Sequence, residues 1–308
     1  MPTLRVHLFG KFSMIHNGRV WQSQEGCKAQ ELLCYLLTHR DSHHREQLAS
    51  LLWGESSTAQ SKKYLRHTLW QLQAACEMRL GFKSDRLIIA DTNWVHLNMD
   101  VDLWTDVSEF KQSYDLLPSG AYLDDESAER LKLTVQLYRG DLLEGWYQDW
   151  CLFEREDLQN KYLAMLDKLI LYCEAHCQYE AGLNHAARIL QLDPARERTH
   201  QQMMRLYYFA GDRTAALRQY DSCVETLKKE LDVSPMKGTL LLYEQIRADQ
   251  LESTPQAHEP PPQTPPMPTS LTAVLSRLKE LQGNLENWQR QIQQDIRFVE
   301  GFLPKARD

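Results

Sequence analysis

The sequence predicts a mainly α-helical protein with a small β component. It reads as an N-terminal winged helix, a C-terminal α-helical tetratricopeptide-like repeat domain, a Pro-rich linker and a terminal coiled-coil-like helix. Three observations predict this. Strand-like alternation opens the chain and returns as a hairpin after three helices. A helix–turn–helix unit recurs at an offset of 34 residues. A strict heptad runs near the C-terminus. The expected divisions are 1–98, 99–250, 251–269 and 270–303.

In the first segment, "LRVHLFG" and "KFSMIHNG" alternate apolar and polar residues, and Asn17-Gly18 supplies a tight-turn signal. From Cys27 the period lengthens, and Leu32, Leu33, Tyr35, Leu36 and Leu37 make the stripe of a helix ending near Arg40. A second helix, "HREQLASLLW", is expected to bury Leu48, Leu51, Leu52 and Trp53, with Gly54 ending it. The third runs from a Ser57 or Thr58 cap to about Glu77. At ~100° per residue, Leu65, Leu69, Leu72 and Cys76 share a narrow arc that faces the core. Lys63, His67, Trp70 and Ala74 point the opposite way, Gln60 and Gln71 lie beside them, and Lys62 and Arg66 lie on the flanks. "RLIIADTNWVHLN" then reads as two strands around Asp91–Asn93. Strands, three helices and a hairpin are the order of a winged helix, whose third helix enters the major groove.

From Asp100 to about Asp249 the pattern is nearly all helical, beginning with "DVDLWTDVSEF" and interrupted at Pro118-Ser119-Gly120. Tyr172, Tyr179, Ala181, Leu183 and Leu190 correspond to Leu206, Arg213, Ala215, Leu217 and Val224. Each copy places a turn, Cys177-Gln178 or Gly211-Asp212, between two helices, as in a stacked solenoid. The "STPQAHEPPPQTPPMPT" segment suits a semi-extended linker. Beyond it Leu271, Leu278, Leu285, Ile292 and Val299 occupy one heptad position, and Val274, Leu281, Trp288, Asp295 and Phe302 the next. Self-association through Leu271, Leu278, Leu281, Leu285, Ile292 and Val299 is expected; docking onto another domain is the alternative.

The bulk properties bound the function. With 308 residues, two or three domains are expected, and an apolar share of 43% supports real cores. No stretch approaches the ~18 apolar residues of a membrane span, and the N-terminus lacks a signal peptide, so a cytoplasmic protein is expected. Seven scattered cysteines do not suggest a disulfide framework. The net charge of −7 conceals an asymmetry. Residues 1–98 hold twelve Lys and Arg against eight Asp and Glu; residues 99–308 hold twenty-three against thirty-four. The basic surplus lies where nucleic-acid contact is expected. Neither a Gly-rich phosphate loop nor an HExxH or GxSxG motif is present, so no enzyme and no cofactor are expected. Cys173, His176 and Cys177 make only a poor metal set, and Asp124-Asp125-Glu126 reads as a helix cap.

The segments "LFGKFSMIHNGRV", "ELLCYLL", "REQLASLLWGE", "LRHTLWQLQAA", "YRGDLLEGWYQDWCLFERE" and "DPARERTHQQMMRLYYFAGDRTAALRQYDSCVETLKKELDVSPMKGTLLLYEQI" resemble the SARP-type regulators. These join an OmpR-type winged helix to a bacterial transcriptional activator domain of tetratricopeptide-like helices. The resemblance spans roughly residues 3–247 and implies transcriptional activation through contacts to double-stranded DNA and RNA polymerase, with Lys62–Ala75 as recognition helix. One departure stands out. Where the family often carries an "RLRRAL"-like run, this chain reads "QLQAAC", and Gln71 and Gln73 cannot neutralise phosphates.

The candidate DNA contacts are therefore Lys62, Lys63 and Arg66, with His67 and Gln71 at base edges and Arg45 on the backbone. Arg86 and Asn93 are weaker candidates in the wing. Trp70 is expected to pack under the wing rather than meet a thymine methyl. The rival reading is a signalling or scaffold module whose winged helix and repeats bind protein or a small ligand.

Overall fold

The computed structural model describes residues 4–16, 18–21, 28–77, 86–118, 120 and 123–251. The chain divides into two units, 1–253 and 254–308, and the described residues all belong to the first. Asn17, Cys27, most of the Pro-rich segment and the heptad residues 271–302 lie outside them.

Strands β1 (Leu4–His7), β2 (Ser13–His16) and β3 (Arg19–Trp21) form an antiparallel meander, with Leu4 opposite His16 and Met14 opposite Trp21. Alternation explains the register: Leu4, Val6 and Met14 are buried while Arg5 faces out. Helices α1 (Lys28–Thr38), α2 (Arg45–Leu52) and α3 (Thr58–Ala75) follow, with the two-residue strand β4 (His43–His44) before α2. The wing is the hairpin β5 (Ile88–Ala90) and β6 (Trp94–Leu97), and β4 adds to its free side, giving the order β4-β6-β5. Leu65, Leu69, Leu72 and Cys76 are all buried, as their periodicity requires. In α2 the inner arc is Leu48, Leu52 and Ala49, whereas Leu51 is 41% exposed. At ~100° per residue Leu51 falls about 60° outside that arc, so the expectation that it is buried is corrected.

The segment "DVDLWTDVSEF" is not helical throughout. Leu103–Thr105 form strand β7, which pairs in parallel with β1 and completes a sheet of order β3-β2-β1-β7. Among the described residues seven helices then follow: α4 (Asp106–Asp115), α5 (Asp125–Val135), α6 (Asp149–Ala175), α7 (Tyr179–Leu192), α8 (Glu197–Phe209), α9 (Arg213–Leu231) and α10 (Lys237–Ala248). Asp124 caps α5, accepting from the Ser127 N–H at 2.8 Å. The internal repeat appears as the hairpins α6–α7 and α8–α9. Their turns adopt the left-handed conformation at equivalent positions, Cys177 with φ 55° and Gly211 with φ 85°. A Cβ on Gly182 would stand 3.0 Å from Leu206 Cδ1 and 3.2 Å from Cys173 Cβ, so the absent side chain lets α6, α7 and α8 close together.

One continuous core runs from Leu4 in β1 to Leu206 in α8, and a smaller cluster of Met204, Ala216, Leu242 and Ile246 seals the end of the solenoid. Cys34, Cys76, Cys151, Cys173 and Cys223 are buried in helices as small apolar groups, and Cys177 is exposed.

Three polar clusters tie the N-terminal sheet and helices to the solenoid. Asp106, only 1% exposed, accepts from the Leu8 N–H with both oxygens at 2.9 and 3.0 Å. It also accepts from the Phe9 N–H at 3.1 Å and its own neighbour Val107 at 2.8 Å. Glu154 of α6 receives His39 Nε2 from the end of α1 and Lys111 Nζ from α4, both at 2.8 Å. Arg155 donates to the Leu142, Leu143 and Trp146 carbonyls, holding the non-helical 139–147 segment. That segment in turn pairs with the β1–β2 turn, Leu143 N–H donating to Leu8 O and Gly10 N–H to Asp141 O, each at 2.8 Å.

Two expected outcomes follow from these clusters. Asp106→Ala strands three buried N–H groups and costs about 3 kcal/mol, read as a lowered urea midpoint at unchanged slope; a loss below about 1 kcal/mol would show that the carboxylate is not holding the strand. For Glu154, burial opposes ionisation, but the His39 and Lys111 bonds outweigh it and hold the carboxyl at about 2 against an ordinary 4.5. A depressed carboxyl contributes stability above its unfolded value and loses it as pH falls through the folded one. Stability should therefore fall by about 2–3 kcal/mol between roughly pH 5 and 2, and Glu154→Gln should flatten that acid limb in urea titrations across the range.

Candidate nucleic-acid interface

The turn between α2 and α3 fixes how the third helix stands. Trp53 closes α2, and its carbonyl accepts from the Ser61 hydroxyl at 3.0 Å, while its half-buried indole lies 6.0 Å from the Tyr64 ring. Ser57 occupies the N-cap of α3 through its carbonyl, which accepts from the Gln60 and Ser61 N–H groups, and not through its side chain. With the leucine stripe buried, the opposite face of α3 presents Lys62, Lys63, Arg66, His67, Trp70 and Gln71, all exposed.

These side chains are not equivalent. Lys62 Nζ pairs with Glu46 Oε1 of α2 at 2.5 Å, and this bond holds the Glu46 carboxyl below the usual carboxylate range. Among the described residues, Lys63 and Arg66 have no ion-pair partner, so their charges face solvent. Arg45 is only half exposed: its guanidinium donates to the Asp91 carbonyl at 2.8 Å, and its N–H to the Asn93 carbonyl at 2.8 Å. It braces the wing turn against the start of α2. Gln71 stands exposed on the flank of the ridge, beside Lys63, His67 and Trp70.

Trp70 does not pack under the wing. It is 65% exposed, and its ring stacks on His67 with centroids 6.1 Å apart and planes 18° apart. The helix meets the wing on another side, through Gln73, whose amide donates to the Ile88 carbonyl at 3.5 Å. Sequence reasoning also passed over Trp94, 48% exposed at the wing's tip with the His44 ring edge-on at 5.4 Å. Alternation placed Trp94 outward in β6, and that was the available signal. Glu46 carried none, since its partner is sixteen residues away on another helix. The arrangement offers cations and flat apolar rings on one convex ridge, with a braced hairpin beside it. Among the described residues no three metal-ligating side chains converge, and no helix is long and apolar enough to cross a membrane.

Residues 105–247 match the family model of the bacterial transcriptional activator domain. The solved structure of Mycobacterium tuberculosis EmbR in complex with a low affinity phosphopeptide is similar in fold, with a TM-score of 0.60 at 18% identity over 82% of this chain and 67% of that one. No curated protein matches the chain. A stretch matching the bacterial transcriptional activator domain thus follows a winged-helix fold in this chain, and the whole is similar in fold to EmbR.

Proposed function

We propose that the protein regulates transcription by binding duplex DNA in a sequence-specific manner, with α3 in the major groove and the β5–β6 wing against the adjacent backbone. The observation that carries the reading is the exposed face of α3. Lys62, Lys63 and Arg66 flank or lead a ridge that the buried leucine stripe turns outward. Cations of this kind bond phosphates or the O6 and N7 of guanine, and His67 and Gln71 lie where base edges pass. Arg45 serves by positioning the wing, and its remaining guanidinium donors are available to a phosphate. The activator domain supplies the contact to RNA polymerase, and residues 270–303 pair two chains, which doubles the DNA contacts. The protein acts in the cytoplasm as an activator and carries out no catalysis.

A second reading has a specific observation in its favour. Lys62 and Arg45 already bond within the molecule, which leaves fewer cations for phosphates. On that reading the repeats and winged helix bind a protein or peptide, as the EmbR structure holds a phosphopeptide.

Salt separates the two, because phosphate contacts weaken steeply as salt rises. Replacing Lys62, Lys63 and Arg66 together with Ala should lower affinity for duplexes recovered from a random pool by about two to three orders of magnitude. The salt slope should fall by about three, at an unchanged melting temperature. Glu46→Gln, which releases Lys62, should tighten binding by about two- to fivefold. An unchanged affinity and slope in the triple variant would refute the assignment of α3.

A further inference from the structure

We infer that the Trp70–His67 pair reads thymine methyl groups, so that the DNA sites of this protein carry A·T pairs within each α3 contact. The inference rests on the DNA-binding reading above and names what that face selects. Three observations carry it. Lys63, His67 and Trp70 succeed one another at helical spacing along the line directly opposite the Leu65–Leu69–Leu72 stripe, so they form the part of α3 that enters a groove deepest. Trp70 stands 65% exposed at the C-terminal end of that line. An indole so exposed leaves a large apolar surface in water, which solvation alone does not favour. Its ring lies near-parallel to that of His67, at 18°, so the two side chains stand together as one aromatic ledge.

A flat apolar ledge has few complements in the major groove. Guanine and cytosine present only hydrogen-bonding groups there, and adenine an acceptor and a donor; thymine alone adds a methyl group. The flanking charges select the same partner. Lys62, Lys63 and Arg66 set positive charge on the N-terminal side of the ledge, which draws a polyanion and not an apolar protein surface. Lys63 and Arg66 hold the strands by their phosphates, and the ledge that follows them along α3 meets the C5 methyls.

The test uses the full-length chain and duplexes it retains from a random pool, resynthesised with deoxyuridine in place of thymidine. That change removes the C5 methyl and leaves pairing intact. Affinity should fall about fourfold for each methyl in contact. Trp70→Ala should bind the thymidine duplex more weakly and be indifferent to the replacement, while Trp70→Phe keeps the sensitivity. Because the side chain is exposed, both variants should melt with the parent protein. A parent protein that binds thymidine and deoxyuridine duplexes alike overturns the inference and leaves DNA binding standing. So does an alanine variant that is as sensitive as the parent. Retention of no duplex at all overturns the DNA-binding reading together with the inference.

Discussion

The structure depends on one buried carboxylate. Asp106 stands at the first turn of α4, at the start of the stretch that matches the bacterial transcriptional activator domain, and its oxygens accept the N–H groups of Leu8 and Phe9 at the end of β1. A charge so deeply buried is tolerated only when hydrogen bonds replace its lost hydration. The N-terminus of α4 adds to them, because helix N-termini favour negative charge. The consequence is architectural. The activator domain begins inside the sheet of the winged helix, with β7 paired to β1 and α4 springing directly from it. Glu154 and Arg155, one turn into the long helix α6, repeat the principle by holding the end of α1 and the 139–147 segment. Helix α3 is therefore carried by a frame continuous with the solenoid, not tethered to it.

What could be read in the sequence was what local periodicity encodes. The leucine stripe of α3, the wing turn at Asp91–Asn93 and the 34-residue repeat each repeat within one or two elements, so residue order alone places them. What could not be read was set by partners distant in the chain. Leu103–Thr105 is a strand only because β1 offers a free edge, and within "DVDLWTDVSEF" its three residues resemble a helix start. Leu51 belongs to an eight-residue helix whose buried arc is fixed by its contact with α3, and a helix that short leaves its phase open. Trp70 shows the same limit in the site. Large aromatics are ordinarily buried, and only the placement of the wing beside Gln73 reveals that this one stays 65% exposed.

The candidate interface balances attraction with restraint. Of its cations, Lys62 is held by Glu46 and Arg45 by the wing, while Lys63 and Arg66 face solvent. On the proposed DNA-binding reading, such a face gives modest affinity for phosphates in general and leaves discrimination to base contacts. The glutamines at positions 71 and 73 add no charge to it. The restraint also orders the site, since the bonds that remove charge fix the angle between α2, α3 and the wing.

The central claim is that α3 and the wing, held in this frame, form the DNA-contacting surface. Amide hydrogen exchange of the full-length chain, with and without a duplex recovered from a random pool, tests it most directly. The account predicts slowed exchange concentrated in 58–75 and 88–97, with the solenoid helices α7 to α10 unchanged. Protection confined to the solenoid, with α3 and the wing exchanging as in the free protein, would contradict it.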